Sequence, residues 1–291
     1  MQSKCKYITA NELANILDIS ESSLYRTNNS GKRDIPLKER ILKVIQDNQT
    51  YGHKRIALEL GLNKKHVLRV MKKYGIKPIR VRAKKPRYTY LEGEAEYKNL
   101  IKNIFPICPY YILATDFTYL PFKGAFLYLA TVIDIFNREI LGYALSVRHT
   151  DDLVVTAIKT AVSKCPVPPL LVHFDQGAEY MSGNCINFLN GVGIQISVSA
   201  KGSPWENGYK EAFYSQFKLD VDAKYLDRFK TIGEVAEYIY RMIWYHNNKR
   251  IHTKLKTNPV EYKRRYFEKL SASTLNSNVN CERIGSQEMG T

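Results

Sequence analysis

The sequence predicts an α/β layer domain preceded by small all-helical modules. Three patterns predict it. Apolar residues recur at helical spacing through the first 75 or so positions. From Tyr111 the pattern changes to three strand-like runs rich in Tyr, Phe, Leu, Val and Ile. A helical stretch then leads into a short all-apolar strand, as expected of a strand covered on both faces. The 291 residues suggest roughly two domains.

The first helix is expected over 9–17, with Ala10, Leu13, Ala14 and Leu17 inward. Thr9 and Glu12 have the spacing of a capping box. After a turn at 18–20, Ser20 is placed to cap a second helix over 21–25, giving a helix-turn-helix pattern within residues 1–30. A second such unit occupies 31–76. Its helices are expected over 36–48, 53–60 and 64–74, with Gly61 and Gly75 as stops and Asn63 as a cap. Val67, Val70, Met71 and Tyr74 form the inward stripe of the last helix. Lys64, Lys65, Arg69, Lys72 and Lys73 occupy its remaining surface. A short basic helix after a tight turn suits the major groove of DNA; the plain alternative is a solvated basic face.

Charge supports the DNA reading. The chain carries +16 overall, from 44 Lys+Arg and 28 Asp+Glu. Residues 1–90 hold +14 of it, so the remainder is nearly neutral. A basic third on a neutral body is the signature of a polyanion-binding module. The segment 77–87, KPIRVRAKKPR, has six basic residues, two prolines and no acid. It is expected to be an extended linker (77–92) whose Arg80, Arg82, Lys84, Lys85 and Arg87 track a phosphate backbone.

The remaining composition excludes several classes. The most apolar stretch, 125–133, is far short of the roughly 20 residues a bilayer span needs. The start, MQSKCKYITANEL, lacks the apolar core of a secretory signal. Five scattered cysteines without a C-x-x-C pair indicate neither a disulfide framework nor a Cys-based zinc site. A reducing cytoplasm and no membrane partner are expected.

In the body, strands are expected over 111–119, 125–133 and 139–147, a helix over 151–164, strands over 170–174 and 194–198, and helices over 184–190, 205–219 and 231–246. Thr231 and Glu234 have capping-box spacing. Three antiparallel strands, a crossover helix, a central parallel strand and further helices describe a ribonuclease-H-like mixed sheet over 93–267, and 268–291 is expected to be an unstructured tail.

Three carboxylates fall where chemistry could use them. Asp116 lies mid-strand in an apolar run, and an isolated core Asp costs several kcal/mol unless it is paired or binds a cation. Asp175 ends the all-apolar strand, where α/β sheets bind ligands. Glu211 lies on a helix past a Gly- and Pro-containing loop, with 35 residues between it and Asp175.

The segments TDFTYL around Asp116, HFDQGAEY around Asp175, KGSPWENGYKEAF around Glu211 and the later YHNNKRIH resemble the DDE transposases of bacterial insertion sequences. That family belongs to the superfamily of retroviral integrases. The similarity spans roughly residues 10–265 and is greatest to the second-frame product of the split-frame group. The spacing of 35 is the family's own. The resemblance implies that Asp116, Asp175 and Glu211 form the catalytic and metal-binding triad. It also implies Mg²⁺ as cofactor, with Mn²⁺ able to substitute, and a homo-oligomer (dimer or higher) on DNA in the cytoplasm at the nucleoid. DNA, as element ends and target, is the implied partner, with an upstream reading frame as a possible second one. The zinc module of retroviral integrases is replaced here by helix-turn-helix units.

Competing residues are weighed beside these. Asp134 reads as a turn or salt-bridge residue, Glu179 and Glu206 as outward-facing or DNA-touching, and His173 as a packed, hydrogen-bonded histidine. Tyr209 and Tyr214 could meet DNA. Lys210 and Lys218 could contact an element end, and Arg250 and His252 could orient catalytic groups or cap a helix. Two other functions fit parts of the pattern: a non-catalytic DNA-binding regulator, and a ribonuclease-H-type nuclease. Intact acids argue against the first, the helix-turn-helix units against the second.

Overall fold

The computed structural model describes residues 8–25, 30–79, 97–102, 104, 106–199 and 208–285; within its helices the side chains at 30–33, 208–212 and 273–285 lie outside the description. Arg80, Arg82, Lys84, Lys85 and Arg87, with the rest of the basic linker from 80 on, fall outside it, as do Trp205 and Glu206.

The N-terminal part contains α1 (Ala10–Ile16), α2 (Glu21–Leu24), α3 (Ser30–Asp47), α4 (His53–Leu60) and α5 (Lys64–Lys73). The Thr9–Glu12 capping box forms completely. Ser20 does occupy an N-cap position, but its hydroxyl turns to Ser22 and Ser23 instead of the backbone. Of the stripe expected inward on α1, Ala14 is buried while Leu13 and Leu17 are exposed. Two helices of seven and four residues are too short to enclose a core. The second module does have one: Leu37, Ile41, Tyr51, Ile56, Val67 and Val70 pack together. Helix α3 starts upstream of Pro36, which sits inside it. The proline ring removes one backbone donor there, and Asp34, two residues before it, faces α5.

The body is a five-stranded mixed sheet in the order β3-β2-β1-β4-β5. Its strands are β1 (Ile112–Phe122), β2 (Ala125–Asp134), β3 (Ile140–Ser146), β4 (Leu171–Phe174) and β5 (Gln195–Val198). The first three form an antiparallel meander; β4 and β5 run parallel to β1. Helices α6 (Asp151–Val162) and α7 (Gly183–Gly191) share one core with the sheet, around Leu113, Val132, Ile158, Val172 and Leu189. Helices α8 (Gly208–Asp220) and α9 (Ile232–Asn248), with a short 3₁₀ turn between them, share the other, around Leu120, Leu129, Phe217, Val235 and Ile239. All four residues of β4 are buried, as expected of a central strand. Helix α9 starts on Thr231, whose hydroxyl accepts the Glu234 N–H; Glu234 turns to the Lys230 N–H, so the box is only half closed.

Helix α10 (Pro259–Gly285) corrects the expected tail. It runs through 268–285 because neither Gly nor Pro occurs between Val260 and Ile284 to stop it. It docks on the β2–β3 turn through Lys263 Nζ, 2.6 Å from Glu139 Oε2 and 2.7 Å from the Tyr110 hydroxyl.

The module and the sheet domain are stitched together. Thr50 Oγ1 donates to Asp220 Oδ1 at 2.7 Å, and Arg250 Nε donates to Asp220 Oδ2 at 2.5 Å. The Ile251 N–H donates to the Tyr51 hydroxyl at 2.8 Å, and Tyr245 donates to Asn48. Asn247 pairs with both backbone groups of Ile140 at 2.9 Å. The run YHNNKRI is thus a seam between the two units.

Two outcomes test this architecture. Gly142 on β3 lies against α6 so closely that an added Cβ would meet the Ala157 carbonyl and come within 2.7 Å of the Ala161 nitrogen. Gly142→Ala should therefore cost at least the roughly 1–3 kcal/mol of core overpacking, read by denaturant unfolding. Asp134 is the turn residue expected: fully buried, it accepts the Tyr110 and Phe136 N–H groups at 2.6 and 2.8 Å. Burial pushes its carboxyl up to about 6. A carboxyl raised on folding takes up a proton between the unfolded and folded values, so stability should fall as pH rises from about 4 to 6, by about 3 kcal/mol. Asp134→Asn should abolish that slope in unfolding curves taken across this range, at a lower absolute stability because one amide N–H then faces an NH₂ group.

Candidate active site

β1 supplies Asp116 and the end of β4 supplies Asp175. Parallel pairing matches Ile112 with Leu171, Leu113 with Val172 and Ala114 with His173. Two residues further along each strand come Asp116 and Asp175, on the face shared by Ala114 and His173. Neighbouring strands lie about 4.8 Å apart, so the two carboxylates leave adjacent strands at one level. Both are half-buried.

Each aspartate is held by its own backbone turn. Asp116 Oδ1 accepts the Phe117 N–H at 2.8 Å, and Asp175 Oδ1 accepts the Gly177 N–H at 3.0 Å. Burial raises the Asp175 carboxyl above its ordinary value, and the neighbouring Glu179 charge adds to that. Asp175 forms no ion pair with a cation among the described residues.

Two tyrosines floor the site. Tyr214, on α8, shares a hydrogen bond of 2.8 Å with Thr131 Oγ1 and donates to the Asp116 carbonyl at 2.5 Å. It is buried, so the expectation that it meets DNA is corrected. Tyr180 is fully buried, with its hydroxyl 3.4 Å from Thr115 Oγ1. Burial, followed by the charge of Asp116, drives both phenols well above their ordinary value, so they stay protonated donors.

Glu211 falls in the first turn of α8, its side chain outside the described residues. Position 211 precedes Tyr214 by three residues, and positions i and i+3 share a helix face. That face meets β1 at Asp116. Lys210 has the same standing: its backbone is helical and its side chain is not described. Lys218, two turns further on, is half-buried with its Nζ 4.5 Å from the centre of the Tyr119 ring. Burial lowers its ammonium and the Asp116 charge partly restores it. Tyr119 and Lys218 line a groove of about 1390 Å³ together with Tyr238, Tyr240 and Trp244.

The competing residues have clear places. Glu179 does not face outward: its Oε1 lies 3.0 Å from His149 Nδ1, and the His149 ring sits 4.1 Å from Phe117 and 5.1 Å from Tyr128, centre to centre. His149 and Tyr180 went unmarked in the sequence, because nothing local distinguishes them from other loop and aromatic residues. His173 is packed as expected, with Nδ1 2.9 Å from Ser197 Oγ. Arg250 serves Asp220 and not the aspartates of the sheet.

On α5, Lys64, Lys65 and Lys72 are exposed. Arg69 and Lys73 are engaged by the buried Asp34: Arg69 bridges both of its oxygens at 2.5 and 2.9 Å, and Lys73 Nζ lies 2.8 Å away. These two cations hold Asp34 well below the usual carboxylate range, so they fasten α5 to α3 before they can serve a ligand.

Hard, half-buried carboxylate oxygens without a cationic partner at Asp175 suit a divalent metal ion. No cluster of three ligating side chains occurs among the described residues, and the side chain of Glu211, the expected third acid, lies outside them. The charge at Asp175 is costly while it stands alone. Asp175→Asn should therefore melt at or above the wild-type temperature in chelator. A fall of several degrees would show that its charge supports the fold instead.

Comparisons place the chain among known proteins. An integrase core domain family model matches residues 107–204, and a second of the same description matches 192–259. The transposase for insertion sequence element IS904 from Lactococcus lactis is 36% identical over 75% of this chain and 89% of its own length. The putative transposase InsK for IS150 from Escherichia coli is 30% identical over 90% of this chain and 96% of its own. The HTLV-2 integrase catalytic core, solved with magnesium, aligns over 54% of this chain and 98% of its own at 18% identity, with a TM-score of 0.46.

Proposed function

The chain belongs to the insertion-sequence transposases of the DDE type, and from that membership we propose that it binds the terminal repeats of a mobile element, nicks the element ends and joins the freed 3′-OH to DNA. The observation that supports it most is the parallel β1–β4 register, which brings Asp116 and Asp175 to one level over a floor of protonated tyrosines.

Asp116, Asp175 and Glu211 would hold the divalent ions, Mg²⁺ in the first place and Mn²⁺ as a substitute. A pair of such ions stabilises the charge that builds on the attacking and leaving oxygens of an in-line displacement. The protein's part is positioning. Asp116 and Asp175 are fixed by the N–H groups of Phe117 and Gly177. Tyr214 ties α8 to the Asp116 backbone and so sets the distance of position 211 from the strand. Water attacks the scissile phosphorus first and the 3′-oxygen leaves with a proton; that hydroxyl then attacks a target phosphodiester. No side chain need act as nucleophile.

DNA is held by the chain's cations. Lys64, Lys65 and Lys72 lie on α5, with Arg80, Arg82, Lys84, Lys85 and Arg87 in the linker, and Lys210 and Lys218 flank Glu211. Each contact to a phosphate is electrostatic and salt-dependent. Two element ends require two active sites, hence at least a dimer on DNA, and the shift-dependent upstream reading frame is a second partner. The described part has no helix long and apolar enough to cross a membrane.

Glu211→Gln keeps size and removes the charge that would hold a metal ion. It should bind an element end within about twofold of wild type and lose nicking and strand transfer by at least about a hundredfold, the equivalent of nearly 3 kcal/mol in the barrier. Glu206→Gln, five residues away, should retain most activity. The readout is Mg²⁺-dependent nicking of a labelled end duplex, with EDTA as blank. If Glu206→Gln is dead and Glu211→Gln still cuts, the third acid is Glu206.

A further inference from the structure

Among the described residues, the seam between the helical module and the sheet domain gathers several cations. Arg55 comes from α4, Arg138 from the β2–β3 turn, and Arg250 and Lys254 from the run after α9. All four act on His252, and after burial they are what hold its imidazole down at about 4. Arg55 itself is held down to about 10, by burial first and Arg250 next. Asp220 is the one carboxylate among the groups acting most strongly on Arg55. It is already shared by Arg250, Thr50 and Gln216.

The geometry agrees with the charge count. Arg55 Cζ sits 5.7 Å from the centre of the Tyr51 ring, and the hydroxyl of that ring takes the Ile251 N–H at 2.8 Å, so Arg55 and Arg250 flank one residue. His246 Nε2 lies 3.1 Å from the Arg138 carbonyl and brings the β2–β3 turn to the same place. Arg55 Nε, Arg250 Nη2 and His252 Nδ1 are each buried with no hydrogen-bond partner among the described residues. Arg250 is 3% exposed. A buried donor on a charged group left unmatched is costly. Two such guanidinium nitrogens, beside a neutral His252 ring whose Nδ1 can carry the ring proton, mark the place of a missing acceptor. Arg55, Arg138 and His252 are half-buried and Lys254 is exposed, so these enclosed nitrogens lie just beneath the surface.

We propose that Arg55, Arg250 and His252, with Lys254 at the rim, form a phosphate-binding site at the seam, and that its occupant is a phosphodiester of the DNA backbone. Guanidinium forks match phosphate oxygens in pairs, which a single chloride would not use. DNA as occupant follows from the transposase reading, whereas a phosphate-sized anion follows from the cluster alone.

The test uses the full chain and two probes, a labelled random-sequence duplex and inorganic phosphate. Neither depends on end recognition or cleavage, so a chain that never cuts still reports on this site. Arg55→Gln should lower duplex affinity about tenfold and reduce the log–log salt slope by about 0.9, the share of one phosphate. Arg55→Lys should keep most of the slope. Lys254→Gln, at the exposed rim, should shift both in the same direction by less, and it guards against a folding defect from loss of the Arg55–Tyr51 contact. Inorganic phosphate should raise the melting temperature of the wild type above that in chloride of equal ionic strength, and should not do so for Arg55→Gln. An Arg55-dependent phosphate effect with an unchanged duplex slope would overturn DNA as the source in favour of a free anion. A duplex slope and a phosphate effect untouched by both substitutions would overturn the site itself.

Discussion

Three register pairs, Ile112 with Leu171, Leu113 with Val172 and Ala114 with His173, join β1 to β4 in parallel, and the position of both sheet aspartates follows from them. A shift of one residue would turn Asp175 to the opposite face from Asp116. The apolar burial of β4 protects that register: Val172 and Phe174 pack in the α6–α7 core on one face, and Leu171 packs on the other with Ile112, Ala114 and Ile135 against Leu100, Ile101 and Ile104. The layers thus hold two negative charges at one level that would separate if the strands could slip.

That arrangement has an electrostatic cost, which the surroundings offset only in part. Asp175 is raised by burial and by Glu179; Tyr180 and Tyr214 are kept protonated beneath the pair. Tyr214 donates to the Asp116 carbonyl, and backbone N–H groups direct both carboxylates. Glu179, near Asp175, takes His149 as its partner. The half-buried Asp175, raised by burial and without an ion pair among the described residues, is a charge kept at some expense to stability.

The seam at 245–252 sets the second relation, that of the helical module to α8. Asp220 and Arg250 are buried to 7% and 4% exposure, so breaking the pair by removing one partner would strand the other in the interior. The same run pins Tyr51, Asn48 and Ile140, with the result that the module, the edge strand β3 and the Glu211 helix share one set of fasteners. On the opposite side of the module, Asp34 employs Arg69 and Lys73 as fasteners too. Basic residues that look alike in the sequence therefore divide into structural ones and the solvent-facing Lys64, Lys65 and Lys72.

Residue order alone was enough for most of the element sequence, for the chain positions and spacing of the three candidate acids, and for the basic character of the N-terminal third. Those are properties of periodicity, composition and linear distance, which do not change on folding. The roles of Arg250, Asp220, Tyr214 and His149 were not legible in that way. Thr50 and Asp220 are 170 positions apart and Tyr214 and Asp116 98 apart, and no local pattern encodes which distant partner a polar side chain will find. The helical stretch 268–285 escaped for the opposite reason: its polar composition reads as tail, while the absence of Gly and Pro lets the backbone continue. Packing decided the remainder, because burial turns an ordinary tyrosine, arginine or aspartate into a group that must find a partner, and only the folded chain determines which groups are buried together.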